Sequence, residues 1–284
     1  MNILLSTTTN WNCGDNFIAF GVKNILKHIF LTTPNYIHYD RNPNNMINWP
    51  HDQNMKAGLH GAFMNSPIDW NKIDLVVLAG SPEFLHHPLA PIYEGLVNHP
   101  EIPLWAIGVG YTEPQFVLPL TDAERIVLKR ESTLIISRQK ELSERLFMEL
   151  SKETHTLPCP ALFCFEKYPK KTRNKLVPNQ IAHSLDELTD VTFFSSDPND
   201  MLNFIGSHVF VTSDRLHGAI AGISAGSYVM LDNDSFRAQS AIKLFDDVIQ
   251  SDPSTITAFK VKILNQYINI IQNHYDTTYT RQRS

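Results

Sequence analysis

The stretch from His208 to Asp232, HVFVTSDRLHGAIAGISAGSYVMLD, decides the predicted fold. Residues 209–211 are a short apolar, β-branched run, which is typical of a buried parallel strand. Residues 219–225 are small and apolar, so we expect a helix that lies close to a sheet, and residues 228–231 are expected to form the next strand. The order strand, turn, helix, strand predicts a right-handed crossover in an α/β sheet.

The turn into this helix is the predicted ligand site. Residues 212–214 are expected to cap the helix and Gly226 to end it. Ligands of such sheets bind outside the carboxyl ends of the strands, and this turn carries Arg215 and His217. A fixed cation and a group that exchanges protons near neutral pH favour an anionic or catalytic site at a helix start. The residues alone leave another interpretation open, in which Arg215 only pairs with Asp214 and His217 is merely exposed.

The composition limits the class of protein. The 284 residues suffice for one large α/β domain or two small ones, and the hydrophobic share of 43% indicates a globular chain. The net charge of -5 gives no reason to expect a nucleic-acid partner. The three cysteines are an odd number without a CxxC pair, which favours reduced thiols in a cytoplasmic protein. Neither a metal site nor a cofactor is predicted.

The chain has no predicted membrane span. No segment approaches the ~20 consecutive apolar residues that a transmembrane helix requires. The first residues, 1–5, lack the basic region and the long apolar core of a signal peptide. We therefore expect a cytoplasmic protein whose chain begins with a strand.

A second strand–turn–helix unit opens the chain. Residues 2–6 are expected to form a strand, and a helical pattern begins after Asp15. Asn12 and Asp15 would therefore lie at the mouth of a crossover, as Arg215 does in the later unit. For Asp15 the residues leave two roles open, because Asp is also a preferred helix cap.

Glycines follow two further predicted strands. The strand at 74–79 ends in Gly80-Ser81, where a ligand can approach the backbone closely. The strand at 104–107 ends in Gly108-Val109-Gly110, but the third glycine of a dinucleotide-binding loop is missing. The sequence also contains no P-loop motif, so neither nucleotide-binding fingerprint is present.

An arginine follows another predicted strand. Residues 134–137 are expected to form this strand, and Arg138 stands at its end, in a place equivalent to that of Arg215. A single arginine of this kind is commonly a surface residue. Two arginines at equivalent strand ends favour an anionic ligand, because guanidinium groups match carboxylates and phosphates in bidentate geometry.

The chain is expected to divide into two α/β halves. The basic, proline-containing segment 167–178 is the predicted linker between a domain at 1–166 and a domain at 179–276, and a frayed tail is expected at 277–284. The elements predicted in the second half, besides the central stretch, are strands near 180–183 and 191–194 and helices over 197–206, 235–249 and 254–271.

The order and spacing of several motifs resemble the polysaccharide pyruvyl transferase family over about residues 2 to 245. The motifs are Asn12-Cys13-Gly14-Asp15, Gly80-Ser81, Ile107-Gly108-Val109-Gly110, Ser137-Arg138 with Ser143, Pro158-Cys159-Pro160-Ala161 and, most specifically, Thr212-Ser213-Asp214-Arg215-Leu216-His217-Gly218. The resemblance implies an α/β fold of two Rossmann-like domains that face each other, as in GT-B glycosyltransferases, with a short second domain. Arg237 stands where family members commonly have a lysine.

The resemblance also implies an activity. Such proteins transfer the pyruvyl group of phosphoenolpyruvate to two hydroxyls of a sugar in a cell-surface polysaccharide or its precursor, which forms a pyruvate ketal and releases phosphate. Arg215 and Leu216 would hold phosphoenolpyruvate, Arg138 would bind a second anionic group of it, and His217 would be the catalytic acid/base. Asp15 would contact the sugar acceptor. The remaining candidate substrate-binding residues are Asn12, Gly80 and Ser81.

Two other functions stay open. A GT-B-like glycosyltransferase would use a nucleotide sugar, and Arg215 would then face a diphosphate. A non-catalytic relative would bind glycan without turnover. The partners expected for the preferred function are phosphoenolpyruvate and a sugar acceptor, with contact to a membrane surface where that acceptor is lipid-linked. No oligomeric state is predicted.

Overall fold

A computed structural model describes residues 1–7, 13–40, 46–47, 62–63, 68–80, 89–110, 119–170, 197–246, 248–249 and 251–283. Its strands are β1 (Asn2–Thr7), β2 (Asn35–Asp40), β3 (Met46–Ile47), β4 (Ala62–Phe63), β5 (Leu75–Ala79), β6 (Leu104–Val109), β7 (Thr133–Ser137), β8 (His155–Thr156), β9 (Phe210–Ser213) and β10 (Tyr228–Leu231). Its helices are α1 (Cys13–Leu26), α2 (Ala90–Asn98), α3 (Asp122–Leu128), α4 (Lys140–Leu150), α5 (Pro198–Gly206), α6 (Leu216–Ser224), α7 (Phe236–Ile242) and α8 (Pro253–Arg283). Short 3-10 turns are present at Trp70–Lys72, Pro160–Phe163 and Lys243–Phe245.

Six of the strands form one parallel sheet in the order β2-β1-β5-β6-β7-β8. Every residue of β5, β6 and β7 is buried, as expected for apolar strands that are covered on both faces. Alternate side chains of these strands enter two apolar clusters, one with α1 and one with α2, α3 and α4. The sheet is therefore an α/β layer with helices on both sides, which confirms the α/β part of the predicted fold class.

The order of the strands places a crevice at the edge where β1 and β5 are neighbours. The chain runs outward from β1 to β2 on one side and from β5 to β6 on the other. In open α/β sheets ligands bind at such a point, beyond the carboxyl ends of the two strands. Gly80 directly follows β5, and Asp15 lies in the first turn of α1, the helix that comes after β1.

The second sheet confirms the predicted crossover. Strands β9 and β10 are parallel, with Val211 opposite Val229, and α6 connects them. The helix lies close to both strands, because a Cβ atom on Gly222 would be only 2.8 Å from Val229 Cγ2. Gly226 has φ +71° just after the end of α6, as its predicted role requires. The N-cap is Arg215 rather than a residue of the predicted capping turn.

One of the two apolar clusters connects the six-stranded sheet with the sheet of β9 and β10. It includes one face of the six-stranded sheet together with α1, α5, α6, α8 and the turn at Pro160–Phe163. Helix α1 packs so closely on this turn that a Cβ atom on Gly21 would be 1.7 Å from Pro160 O. Asn24 Nδ2 also donates to Phe163 O at 2.8 Å. This shared core brings the carboxyl end of β7 next to the start of α6.

Local sequence signals explain the bounds of two helices, α3 and α5. Thr121 and Glu124 form a reciprocal capping box at the start of α3. Helix α5 begins after the N-cap Asp197 and ends at Gly206, as predicted from Pro198 and Gly206. The start of α1 differs from its prediction, because the helix begins at Cys13 and Asp15 lies inside its first turn rather than at the cap.

The last helix is longer than predicted. It extends to Arg283, through the residues expected to be a frayed tail. Its buried side chains Ile263, Tyr267 and Ile271 recur at four-residue steps up to the predicted end, and the partly buried Tyr275 continues that series. Tyr267 Oη donates to Pro158 O at 2.8 Å, and the Tyr275 ring is 6.2 Å from the Trp105 ring in the main sheet. In contrast, α7 ends earlier than predicted, at Ile242. Among the described residues, no helix has the length and hydrophobicity to cross a membrane.

Two parts of the prediction lie outside the described residues. They are most of the linker, from residue 171 onward, and the two strands expected near 180–183 and 191–194. The arrangement of two facing Rossmann-like domains, and the boundaries proposed for them, therefore stay predictions. The α/β architecture itself rests on the six-stranded parallel sheet and its helices.

Candidate active site

The centre of the candidate site is a direct contact between Arg138 and His217. Arg138 directly follows β7, is fully buried, and donates its backbone N–H to Val109 O at 2.9 Å. Its Nη1 atom is 2.7 Å from His217 Nε2. A guanidinium group can only donate, so His217 accepts at Nε2 and its proton is on Nδ1. The structure thus brings together the predicted catalytic histidine and one of the predicted arginines.

The environment of His217 holds its imidazole neutral. The side chain is only 4% exposed, so the interpretation of an exposed histidine is wrong. Burial lowers the pKa of His217 well below its ordinary value, and the positive charges of Arg138 and Arg237 lower it further. A neutral imidazole at neutral pH is suited to accept a proton from a substrate.

Arg138 is a buried cation whose donors are only partly satisfied. Its Nε and Nη2 atoms are buried and have no hydrogen-bond partner among the described residues. Cys159 Sγ is 4.0 Å from Nη1, but thiol sulfur is a weak acceptor, and burial raises the pKa of this thiol, so it carries no compensating charge. A buried charge of this kind is costly unless an anion binds it. The site therefore suits an anionic ligand.

Arg215 and Leu216 begin α6 next to His217. The Ser213 hydroxyl accepts from Arg215 N at 3.0 Å and donates to Arg215 O at 2.9 Å, which fixes the turn. Arg215 Nε is 3.6 Å from Asp214 Oδ2, so the ion pair considered from the sequence is present. The Leu216 side chain is buried, which leaves its backbone N–H, one of the unpaired amides of a helix start, as the group that can meet a ligand.

Asp15 and Gly80 lie at the crevice beside β1 and β5. The Asp15 side chain is 5% exposed, and its charge contributes to the raised pKa of the Cys159 thiol, so it lies in the same neighbourhood as Arg138. Gly80 has φ +71°, and a Cβ atom there would be 2.5 Å from Ile18 Cδ1. Packing alone therefore requires glycine at this position. Asn12 and Ser81, the other two predicted residues, lie outside the described residues.

Two residues next to the site were not predicted to take part in it. Arg237, in the first turn of α7, contributes to the low pKa of His217. Gly110 follows β6, and a Cβ atom on it would be 3.0 Å from Arg138 Nε. Val109 pairs with Ser137 at the ends of β6 and β7. Gly110 follows Val109 and Arg138 follows Ser137, so the two residues lie side by side. The sequence could have identified Gly110, because Gly110 and Arg138 each follow a predicted strand and the carboxyl ends of parallel strands lie at the same edge of a sheet.

Cys13, Cys159 and Cys164 are buried thiols, and none of the three forms a disulfide. Within the described ranges, no group of three or more His, Cys, Asp or Glu side chains is arranged to hold a metal ion. The charged groups that act on His217 are the two arginines.

The fold and the site together define an α/β protein with a buried Arg–His pair at the carboxyl edge of a parallel sheet. The family model for polysaccharide pyruvyl transferase matches residues 12–227, more than half of the chain, and the chain belongs to this family. Membership implies a transferase that acts in polysaccharide biosynthesis.

The chain is similar to solved structures. One of them is the crystal structure of a protein from Klebsiella pneumoniae that is described as functionally uncharacterized, which has 13% sequence identity and a TM-score of 0.47, over 88% of this chain and 91% of that one. No curated protein matches the chain.

Proposed function

We propose that this transferase moves the pyruvyl group of phosphoenolpyruvate onto two hydroxyls of a sugar, in a cell-surface polysaccharide or its precursor, and forms a pyruvate ketal. The observation that carries the proposal is the buried contact between Arg138 and His217, 2.7 Å from Nη1 to Nε2. It joins an incompletely paired cation to a neutral imidazole, which is the combination that an anionic donor and a proton transfer require.

The charges of the site match those of phosphoenolpyruvate. This donor has a carboxylate and a phosphate, and guanidinium groups bind both better than ammonium groups do because they offer two parallel donors. Arg138 would bind one anionic group, and Arg215 with the backbone N–H of Leu216 would bind the other. The start of α6 adds the partial positive charge of a helix N-terminus.

His217 would move the proton that the reaction needs. As the oxygen of the first sugar hydroxyl bonds to C2 of phosphoenolpyruvate, neutral His217 takes the hydroxyl proton and delivers it to the C3 methylene, which becomes the methyl group. The bond from C2 to the phosphate oxygen then breaks, and the second hydroxyl oxygen bonds to C2. The proton of this second hydroxyl leaves with the phosphate. One imidazole can serve in both directions of such a transfer.

The sugar acceptor would enter from the crevice beside β1 and β5. Asp15 would contact it there, and Asn12, Gly80 and Ser81 are the other candidates for acceptor contacts. The three cysteines, none of which forms a disulfide, support a cytoplasmic protein, and a lipid-linked acceptor would bring it to the membrane surface.

Ligand-dependent melting of the purified chain tests this proposal. We expect phosphoenolpyruvate to raise the melting temperature, because a ligand at a hundred times its Kd adds about 2.7 kcal/mol to the free energy of unfolding. A panel of nucleotide sugars, measured in parallel, tests the glycosyltransferase alternative. The matched control for the ligand effect is Arg130→Ala, since Arg130 precedes β7 at the opposite edge of the sheet.

Each outcome of this experiment separates the functions. A shift with phosphoenolpyruvate that disappears in Arg215→Ala supports the pyruvyl transferase. A shift with nucleotide sugars alone contradicts it and favours the glycosyltransferase. Phosphoenolpyruvate binding without phosphate release, across a panel of aryl hexosides and glycan extracts, would favour the non-catalytic relative.

A further inference from the structure

We propose that Arg138 acts as a clamp on His217: it occupies the Nε2 atom in the ligand-free chain, and an anionic ligand frees this nitrogen for proton transfer by drawing the guanidinium group to itself. The inference rests on the proposed function, because it concerns the order of events at the same site. It makes Arg138 a positioning residue for His217 in addition to a residue that binds the donor.

The ligand-free geometry leaves Nε2 unable to accept a proton. Its lone pair faces Arg138 Nη1 at 2.7 Å, and a neutral imidazole has no other acceptor because Nδ1 carries the proton. His217 therefore cannot take a hydroxyl proton while the clamp is closed. A water molecule that reached the site before the donor would meet the same blocked nitrogen, so the clamp would link proton transfer to the presence of an anion.

The clamp is held weakly enough to open. Arg138 makes one strong hydrogen bond, to His217, while its Nε and Nη2 atoms have no acceptor within the described part of the chain. An incoming carboxylate or phosphate offers acceptors for several of its donors at once. Hydrogen bonds to a charged acceptor are stronger than those to a neutral one. We therefore expect the guanidinium group to leave the imidazole and bind the anion.

Gly110 sets the closed position of the clamp. A Cβ atom on this residue would be 3.0 Å from Arg138 Nε and 2.4 Å from Gln139 Oε1. Gln139 is fully buried and has little room to move. A methyl group at position 110 would therefore displace the guanidinium group from the place in which it reaches His217, without removing any charge.

The charged groups around the clamp explain why an anion is the trigger. Arg138 at the end of β7 and Arg237 on α7 are the charges that act on His217, and both are positive. The Cys159 thiol near Arg138 is neutral, and the charge of Asp15 on α1 acts on that thiol. Drawing the Arg138 charge towards an anion therefore removes the nearest repulsion from a proton on Nε2.

Nitrogen NMR of the histidine side chains tests the clamp. The His217 signals are assigned in the ¹⁵N-labelled full chain by comparison with His217→Gln. In the ligand-free wild type we expect His217 to stay neutral, with Nδ1 protonated, over the pH range in which exposed histidines titrate. Phosphoglycolate carries the same two anionic groups as phosphoenolpyruvate but has no double bond to react, and adding it should shift the Nε2 resonance away from its hydrogen-bonded position, towards that of an unprotonated nitrogen with a free lone pair.

Two variants separate the clamp from a merely structural contact. Arg138→Met removes the donor and its charge, and Gly110→Ala moves the donor but keeps the charge. In both, the ligand-free His217 should titrate closer to its ordinary range, and the effect of phosphoglycolate should be reduced or lost. Gly206→Ala is the control, because its Cβ atom would meet Pro169 Cγ at a similarly close 2.8 Å, away from the site, and His217 should keep its wild-type titration.

The outcomes distinguish this inference from the proposed function. An unchanged His217 titration in Arg138→Met would overturn the clamp, as would a phosphoglycolate-induced rise in melting temperature that leaves the His217 resonances in place. The Arg138→Met comparison needs no ligand, so it judges the clamp even where phosphoenolpyruvate fails to bind. Failure of phosphoenolpyruvate to bind or react, beside the expected NMR shifts, would overturn the proposed function and support the clamp.

Discussion

The two ends of α6 both meet a cationic side chain, but only one of the two cations is fully paired. At the carboxyl end, Lys260 from α8 donates to Ser224 O at 3.0 Å, Phe165 O at 3.2 Å and Ser224 Oγ at 3.4 Å. Three acceptors match the three donors of an ammonium group. At the amino end, Arg138 makes one bond to His217 and keeps two buried nitrogens unpaired among the described residues.

This difference separates a structural cation from a functional one. Lys260 donates to a carbonyl group at the carboxyl end of a helix, where a positive charge is favourable. These contacts are enough to explain why a lysine is buried there. A cavity of about 500 Å³ beside it, between α1 and α8, also holds Lys27, which pairs with Glu166. Within the described part of the chain, Arg138 Nε and Nη2 have no such partners, and buried polar groups without partners are the ones that call for a ligand.

At the amino end of α6, the largest expected effect is the loss of turnover in His217→Ala. Loss of the proton-transfer group should lower turnover by about 100- to 10,000-fold, while phosphoenolpyruvate binding is kept because the arginines remain. Phosphate release from phosphoenolpyruvate in the presence of the sugar acceptor measures turnover, and the ligand-induced melting shift measures binding. Wild-type turnover in this variant would refute the acid/base role. His208→Ala, the change of a buried histidine before β9, is the matched control.

Arg215→Ala should weaken binding of the donor rather than the chemical step alone. Charge-assisted hydrogen bonds are worth about 1.5–3 kcal/mol, so we expect the Kd for phosphoenolpyruvate to rise by about 10- to 100-fold. Titration calorimetry measures the change. Arg215→Lys should recover only part of the affinity, because a lysine cannot form the bidentate contact. An unchanged Kd would mean that the ion pair with Asp214 is the whole role of Arg215.

The elements of the fold could largely be predicted from local patterns. The buried strands β5, β6 and β7 follow from continuous apolar runs, and α5 follows from Pro198 and Gly206 at its two ends. What failed were elements that depend on distant packing. The final turns of α8 contain few apolar residues, but Tyr275 packs on Trp105 from the main sheet, so tertiary contact maintains the helix there.

The candidate site could be predicted residue by residue but not as an arrangement. Arg138 and His217 were each identified by position at a strand end or helix start. Their contact joins residues 79 positions apart and depends on how the core around α1 joins the two sheets, which no local pattern specifies. The burial of His217, and therefore its neutral state, follows from the same packing. Gly110 was set aside because its motif lacks the third glycine of a nucleotide-binding loop.

Lys260→Met tests the structural side of the comparison. The change keeps the apolar stem but leaves Ser224 O and Phe165 O without their donor, so we expect the free energy of unfolding to fall by about 1–3 kcal/mol. Urea unfolding measures the loss. The exposed Lys262 on the same helix provides the control Lys262→Met, which should be near neutral. The melting shift with phosphoenolpyruvate should survive in both variants, and its loss in Lys260→Met would show that the two ends of α6 are coupled.

The smallest expected effect is a pH dependence with a separate window for each end of α6. The pKa of His217 is lowered in the folded chain, so the unfolded chain binds more protons below about pH 6.5, and the free energy of unfolding should fall as the pH falls below that value.

The carboxyl end of α6 supplies the second window. Burial lowers the pKa of Lys260 to about 8. The unfolded chain therefore binds more protons between about pH 8 and the ordinary lysine value near 10.5, and the free energy of unfolding should rise with pH over that interval. Each group contributes at most about 1.4 kcal/mol per pH unit. Urea unfolding at a series of pH values measures both slopes. His217→Gln should flatten only the acidic one and Lys260→Met only the basic one, whereas a change in both slopes with either variant would mean that the two cationic sites do not titrate independently.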